Sequence, residues 1–253
     1  EKLVPFMAGF YIIGCIIILI LNHAYVLDAL KLIVSSAFTP KAAGGGFIGS
    51  TVMMAIRFGI ARGLFTNEAG LGSAPIVDAA ASTRNPVRQG LIAMTGVFWD
   101  TVIVCALTGL VLVSSILRNP DGMSGLSGGA LSSAAFANIP VVGPIVLTVG
   151  LICFAWSTIL GWSYYGERCW VYLCGQKAIM PFRIIYTLVV FVGSVMTLDA
   201  VWGIADILNA SMAFPNLVAL LGLSGVIASE TKKYLFDDNM DGWSDDEIPV
   251  VDK

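Results

Sequence analysis

The sequence predicts an all-α membrane protein that crosses the bilayer six times, with one crossing made by a discontinuous helix. Hydrophobic residues make up 57% of the 253 positions and charged residues only 12%, and the mean hydropathy is +0.85. A soluble domain carries about twice that charged fraction. The uncharged runs are also long enough to span, because about 30 Å of hydrocarbon requires roughly 20 apolar residues in a helix.

The predicted crossings follow one another along residues 1–236, the transmembrane core of the chain. The uncharged run Val4–Leu21 opens the series. Ala24–Phe38, which contains Asp28 and Lys31, is too polar to span and is typical of an amphipathic helix in the membrane interface. We predict spans at 4–21, 47–82, 89–117, 139–174, 179–198 and 201–229, followed by an acidic cytoplasmic tail at 237–253.

The positions of lysine and arginine predict the orientation, because cytoplasmic loops carry an excess of these residues. With six crossings, both ends of the chain lie on the side that holds Lys2, Arg84, Arg88, Arg168, Lys177, Arg183, Lys232 and Lys233. The opposite side holds Lys31, Lys41 and Arg118. This bias predicts a multi-pass protein of the cytoplasmic (inner) membrane with both ends of the segment in the cytoplasm.

The composition gives no support to several other classes of protein. No basic patch with interleaved aromatic residues is present, so nucleic acid is not an expected partner. A lone His23 and the absence of a nucleophile–base pair leave an enzyme without catalytic groups. The cysteines lie mostly in apolar runs and are interpreted as packing residues: Cys15, Cys105, Cys153, Cys169 and Cys174. The abrupt start at Glu1 is expected of a fragment of a longer chain.

The second predicted crossing contains the densest cluster of polar groups, Thr66, Asn67 and Glu68. Unwound backbone persists at membrane depth only where protein buries it or a wet cavity borders it. Its free carbonyls can ligate a cation, and the N-terminus of the next half-helix can hold an anionic group. Together these two properties suit a zwitterion such as an amino acid. The residues that permit the break are Gly63, Gly70, Gly72 and Pro75.

A closely packed glycine-rich kink is the alternative interpretation of this segment. In that case Asn67 would be an N-cap and Glu68 would be favoured by the helix dipole. Arg57 and Arg62 would then be structural counter-ions. An intramembrane carboxylate costs several kcal/mol unless it is paired or hydrated, so Glu68 beside two arginines favours a functional role.

Residues 67–75, Asn-Glu-Ala-Gly-Leu-Gly-Ser-Ala-Pro, resemble the signature of the alanine or glycine:cation symporter family, the sodium:alanine symporters. Residues 4–8, 62–66, 94–96 and 160–167 agree with it, and the resemblance extends to about Lys232. It implies a leucine-transporter-type (amino acid–polyamine–organocation) helical core, of which this chain holds helices five to ten. The N-terminal half of that core would be its partner.

The resemblance also implies which residues contact the substrate. Phe65, Thr66 and Asn67 would lie beside it at the unwound turn. Thr158 and Trp162 would face it from the fourth span, and residues four apart share a helix face. Trp162 could otherwise belong to the interfacial aromatic belt. Structural or coupling roles are implied for Gly63, Glu68, Gly70 and Gly72.

A sodium site is implied at Ser157 and Thr158, which match the position where sodium-coupled relatives supply hydroxyl ligands. Oxygen ligands suit a hard cation. The alternative for these hydroxyl groups is a hydrogen bond to a carbonyl of their own helix.

The function implied by the resemblance is sodium-coupled symport of a small neutral amino acid by alternating access, as part of a longer chain. Sodium is the co-transported ion, and the amino acid and membrane lipid are the partners. The sequence leaves open alanine against glycine and sodium against proton coupling. A proton-coupled amino-acid carrier or an ion channel is the alternative, although polarity here concentrates at one depth. Asp100 and Asp206 lie inside predicted spans, and neither is assigned a coupling role.

Overall fold

In the computed structural model of this chain, the regular elements are helices. The structure describes residues 3–38, 63, 65, 66, 68, 70–83, 85–126, 128–237 and 240. Within these ranges no strand is present. The all-α class, predicted from the composition and from the length of the uncharged runs, is therefore confirmed.

The α-helices in chain order are α1 (Leu3–Leu21), α2 (His23–Phe38), α3 (Ala74–Asp78), α4 (Pro86–Val97), α5 (Ala106–Arg118), α6 (Pro120–Met123), α7 (Gly128–Phe136), α8 (Val142–Cys174), α9 (Ile179–Val195), α10 (Leu198–Gly222) and α11 (Ser224–Thr231). A π-helix, Phe98–Cys105, joins α4 to α5. A 3₁₀ turn, Gln176–Ala178, precedes α9, and a second π-helix, Lys232–Phe236, follows α11.

Five helical stretches of the described chain are long and apolar enough to cross a membrane: Val4–Leu21, Pro86–Arg118, Val142–Cys174, Gln176–Val195 and Leu198–Gly222. These stretches make the chain a multi-pass membrane protein. The predicted crossing at 47–82 falls partly on residues 47–62, which lie outside the described residues. The six-span count, the orientation and the tail beyond residue 240 therefore stay predictions.

The chain forms two compact units: unit 1 is Glu1–Gly63 with Asp100–Val195, and unit 2 is Leu64–Trp99 with Met196–Lys253. The core of unit 1 is built around Tyr11 of α1. Its ring centroid lies 5.7 Å from that of Phe136 and 5.6 Å from that of Phe154. Its hydroxyl is hydrogen-bonded to the Thr108 hydroxyl at 3.0 Å, so the core contact between α1 and α5 is polar as well as apolar.

A buried amide ties the end of α1 to the end of α5 in unit 1. The Asn22 side chain is fully buried and donates hydrogen bonds to the hydroxyls of Ser114 at 3.2 Å and Ser115 at 3.1 Å. Arg118 in turn donates to the Asn22 carbonyl oxygen at 2.8 Å. Since an unpaired polar group in an apolar interior costs free energy, this network satisfies the amide where it is buried.

Helices α8 and α9 form an antiparallel hairpin in unit 1. The Tyr186 hydroxyl donates to the carbonyl of Ile159 at 2.8 Å. A Cβ placed on Gly166 would lie 2.6 Å from the Phe182 ring, so glycine permits the close approach of α9. The interlocking of the two helices fixes the side chains near their connection.

Unit 2 combines residues 64–73, called the glycine-rich segment below, and α3 with α4, α10 and α11. Helix α4 begins at Pro86, and the preceding Asn85 accepts a hydrogen bond from the Arg88 backbone N–H at 3.0 Å. Such an N-cap satisfies one of the free amides at a helix start. Helix α10 remains helical through Pro215 and ends at Gly222. This long helix provides the surface on which the glycine-rich segment packs.

Candidate functional site

The glycine-rich segment of unit 2 is interrupted as the sequence predicts. Phe65 and Thr66 are helical, Gly70–Gly72 form a turn, and α3 starts only at Ala74. Glu68 has a φ of 56° and Gly72 a φ of 78°. A non-glycine residue in this left-handed region is uncommon and is worth examining for a functional role.

The Glu68 side chain and backbone are held by the residues that follow in the turn. The Ser73 hydroxyl lies 3.3 Å from a carboxylate oxygen of Glu68, to which it donates. The Leu71 backbone N–H donates to the Glu68 carbonyl at 3.0 Å. Ser73 is only 1% exposed, so one end of the carboxylate lies against a buried hydroxyl. The counter-ions considered for it, Arg57 and Arg62, lie outside the described residues, as does Asn67.

Helix α10 holds the segment at two places. The Asn216 side-chain amide donates to the Gly70 carbonyl at 3.1 Å. A Cβ on Gly72 would lie 2.8 Å from the Asn216 side-chain oxygen, so a larger residue at this position would have to displace the Asn216 side chain. The rings of Phe65 and Trp202 meet edge to face at a centroid distance of 6.1 Å.

These two contacts arrange the segment along the helix. Trp202 and Asn216 are fourteen positions apart in α10, which corresponds to about 21 Å at 1.5 Å per residue. Phe65 is therefore held near the N-terminal part of α10 and Gly70 near its C-terminal part. The arrangement places carbonyls, a hydroxyl and a carboxylate on one unwound stretch, and these oxygen groups can bind a cation or an ammonium group.

The remaining predicted site residues lie on α8 in unit 1. The Ser157 hydroxyl donates to the Phe154 carbonyl at 2.9 Å, which is the hydrogen bond considered as the alternative to ion binding. A hydroxyl oxygen that donates one hydrogen bond keeps lone pairs for a cation. Thr158 is exposed, and the Trp162 ring meets that of Tyr165 at 5.8 Å. The sodium and substrate roles of these residues stay predictions.

The predicted site residues thus fall into two sets. Phe65, Thr66, Glu68, Gly70 and Gly72 belong to unit 2, while Ser157, Thr158 and Trp162 belong to unit 1; Gly63 is the last residue of the first segment of unit 1. Unit 2 brings its own set together along one turn. The facing of the two sets across a substrate stays a prediction.

Three residues of unit 2 contribute to the site without having been predicted: Ser73, Trp202 and Asn216. Ser73 stood within the family-like motif but carried no assigned contact. The available signal for Asn216 was a lone amide beside Pro215 in an otherwise apolar run. Its partner, Gly70, is 146 positions away, so no local pattern identifies the pair.

Two further carboxylates near these helices differ in their surroundings. Gln89 donates to the Asp78 carboxylate at 2.8 Å. One carboxylate oxygen of Asp100 is buried and accepts no hydrogen bond from the residues that the structure describes. Asp100 lies in the π-helical part of its span, and π-helical segments frequently occur at functional sites. In the described ranges, no group of three or more His, Cys, Asp or Glu side chains could hold a metal ion.

The chain is similar in sequence to known proteins of one family. The sequence profile of the Sodium:alanine symporter family matches residues 1–246. An uncharacterized transporter of Haemophilus influenzae is 51% identical over 251 residues, covering 98% of this chain and 54% of the relative. The Sodium/alanine symporter AgcS of Methanococcus maripaludis is 50% identical over 232 residues, covering 92% of this chain and 50% of the relative.

A more distant relative is named for a different amino acid. The probable sodium/glutamine symporter GlnT of Bacillus subtilis is 33% identical over 236 residues, covering 92% of this chain and 48% of the relative. The chain spans about half the length of the curated relatives it matches.

Proposed function

This chain belongs to the sodium:alanine symporter family, a family of transporters rather than enzymes, and we propose that it forms part of a sodium-coupled carrier for a small neutral amino acid. The carrier would move alanine or glycine across the cytoplasmic membrane by alternating access, with sodium as the co-transported ion. The observation that carries this proposal is the unwound segment, with non-helical backbone at Glu68 and at residues 70–72, anchored to α10 through the Asn216–Gly70 hydrogen bond.

An unwound segment suits an amino acid because the substrate carries two opposite charges. Backbone carbonyls and the Glu68 carboxylate can attract the ammonium group or a cation, while backbone amides at a helix start can hold the carboxylate. The described contacts to Ser73 and Asn216 keep this stretch in a fixed conformation. A preformed site of this kind lowers the ordering cost that binding must otherwise overcome.

The proposed substrate contacts are Phe65, Thr66 and Asn67 from unit 2 with Thr158 and Trp162 from unit 1. The Phe65 and Trp162 rings would restrict the size of the substrate side chain. Ser157 and Thr158 would supply hydroxyl ligands to sodium. In this assignment the chain provides helices five to ten of a leucine-transporter-type core, both of its ends are cytoplasmic, and the other half of the core completes the site.

Coupling needs no covalent chemistry. It requires that sodium and amino acid together stabilise the same conformation more than either does alone. Thr158 would contact both the sodium ion and the substrate. A residue shared in this way would produce such a dependence. A relative named as a glutamine symporter supports amino-acid transport in general. It does not test the limit on substrate size that the Phe65 and Trp162 rings would impose.

The test is uptake of labelled alanine by the full-length natural protein in liposomes. We expect saturable uptake that needs an inward sodium gradient and persists when the proton gradient is collapsed. Trp162→Ala should weaken alanine uptake or admit larger amino acids. Trp156→Ala, on the same helix but 59% exposed, is the matched control and should leave selectivity unchanged. Conductance without amino acid, or uptake that follows only the proton gradient, would contradict the proposal.

A further inference from the structure

Three cationic residues flank the connection between α8 and α9 of unit 1. They are Arg168, Lys177 and Arg183, and Glu167 is the one acidic residue between positions 167 and 183. The Arg183 Nε donates to that carboxylate at 2.7 Å. At this connection the charges are therefore unbalanced in favour of cations. We refer to Arg168, Lys177 and Arg183 as the hairpin cations.

The ion pair leaves most of the Arg183 side chain open. Its exposed fraction is 59%, against 14% for Glu167. Only the Nε group of Arg183 engages Glu167, and no other hydrogen bond of this side chain is formed within the described residues. The planar guanidinium carries several donors in a fixed geometry that matches a phosphate group. Arg183 can thus bind an anion without giving up Glu167.

Apolar side chains follow Arg183 along α9 and form what is called the apolar wall below. Arg183, Ile184, Thr187 and Leu188 lie on one face of α9 and border an open, shallow surface depression, called the groove below. Ile184 and Leu188 are one helical turn apart, so their side chains lie one above the other. Both are more than half exposed, at 57% and 59%. The groove therefore combines a cation at one end with an extended hydrocarbon surface.

The depth of these residues fits a lipid whose headgroup lies at the membrane surface. Arg183 is the eighth residue of the Gln176–Val195 stretch, about 10 Å along the helix from Gln176, so its long side chain can extend back towards the headgroups. Ile184 and Leu188 follow it at hydrocarbon depth. The Arg168 guanidinium lies 4.8 Å from the centre of the Tyr164 ring, and tyrosine is enriched at the membrane interface.

The groove is also held rigidly. Phe182, the residue before Arg183, packs against Gly166 and meets the ring of Trp170 at 6.0 Å. Tyr186 in the next turn donates to the Ile159 carbonyl. These contacts on both sides of Arg183 fix the helix that carries it, so binding does not have to order the backbone.

We propose that this groove is a binding site for one anionic phospholipid. The phosphate would accept hydrogen bonds from Arg183, and one acyl chain would lie along Ile184 and Leu188. Arg168 and Lys177 would add attraction for the negative headgroup. A soluble anion would not use the apolar wall, and a zwitterionic lipid would not use the excess of cations. This site is independent of the proposed transport function.

Native mass spectrometry of the delipidated full-length protein tests the site with phosphatidylglycerol and phosphatidylcholine of identical acyl chains. We expect phosphatidylglycerol to bind severalfold more tightly. Arg183→Gln should weaken phosphatidylglycerol binding about fivefold, which corresponds to ~1 kcal/mol for one basic residue at a membrane surface. Lys31→Gln, in the exposed Asp28–Lys31 pair of α2, is the control and should bind phosphatidylglycerol as the unmodified protein does.

The double variant Glu167→Gln, Arg183→Gln separates a specific contact from general attraction. It has the same net charge as the unmodified protein but lacks the guanidinium, so the weakening should persist. Unmodified affinity in this variant or in Arg183→Gln would overturn the proposal, as would equal binding of the two lipids. Full displacement of phosphatidylglycerol by glycerol 3-phosphate would overturn it in favour of a soluble anion.

Discussion

The side-chain amide of Asn216 donates a hydrogen bond to the carbonyl of Gly70 at 3.1 Å. The two residues are 146 positions apart in the chain, and the bond joins α10 to the unwound segment. Backbone carbonyls outside a helix need such partners wherever water does not reach them. Asn216 therefore satisfies the non-helical backbone at Gly70 and holds it against α10.

Replacing Asn216 with alanine should destabilise unit 2. The partly buried Gly70 carbonyl would lose its partner, and an unsatisfied acceptor that is shielded from water costs about 1–3 kcal/mol. We expect Asn216→Ala to lower the thermal unfolding midpoint of the detergent-solubilised protein by several degrees. Asn209→Ala, also on α10, serves as the control and should change the midpoint less. Equal midpoints for the two variants would show that the hydrogen bond contributes no stability.

A methyl group at Gly72 should also disturb the segment. The φ of 78° is strained for any residue with a Cβ, and that Cβ would lie 2.8 Å from the Asn216 oxygen. A cost of about 1–3 kcal/mol is expected from the backbone alone. Gly72→Ala should lower the unfolding midpoint and alanine uptake together.

Gly90→Ala in α4 is the matched control, because no atom of the described residues lies within 4 Å of a Cβ built on Gly90. This variant should be no less stable than the unmodified protein, since alanine is the better helix former. If Gly72→Ala were as stable and active as Gly90→Ala, the close approach of the segment to α10 would not be required.

Asp100 is expected to cost stability rather than provide it. One of its carboxylate oxygens is buried without a hydrogen-bond donor from the described residues, and an unpaired intramembrane carboxylate is costly. Asp100→Asn removes the charge and should raise the unfolding midpoint by a few degrees. The exposed Asp121→Asn should leave it unchanged. A lower midpoint for Asp100→Asn would mean that the carboxylate binds a stabilising partner.

Much of the fold follows from local features of the sequence. Uncharged runs such as Val4–Leu21 predict long helices because hydrocarbon admits backbone only with its hydrogen bonds satisfied internally. The interruption between Thr66 and Ala74 was predictable as well, since glycine at position 72 permits the positive φ that the turn requires.

Other features depend on contacts between distant residues and could not be predicted in this way. The Asn216–Gly70 bond and the Phe65–Trp202 ring contact depend on how α10 lies against the segment. The π-helix at Phe98–Cys105 contains no Pro or Gly from which it could be predicted. The Ser157 hydroxyl donates to a carbonyl of its own helix. A serine can either make such a bond or bind an ion, so its residue type alone does not distinguish the two roles.

The central claim is the proposed assignment of Thr66 and Thr158 to contacts with the amino-acid substrate. Its most direct test is protection of single cysteines by substrate in the full-length protein, on a background without the natural cysteines. Thr66→Cys and Thr158→Cys each place a thiol at an assigned position that is exposed. Ser82→Cys, exposed beyond α3, is the control.

The measurement is the rate at which a small water-soluble thiol reagent labels each variant with and without alanine in sodium buffer. Alanine with sodium should slow labelling at both Thr66→Cys and Thr158→Cys severalfold, and should leave Ser82→Cys unaffected. Unchanged labelling at both assigned positions, in variants that still take up alanine, would contradict the claim.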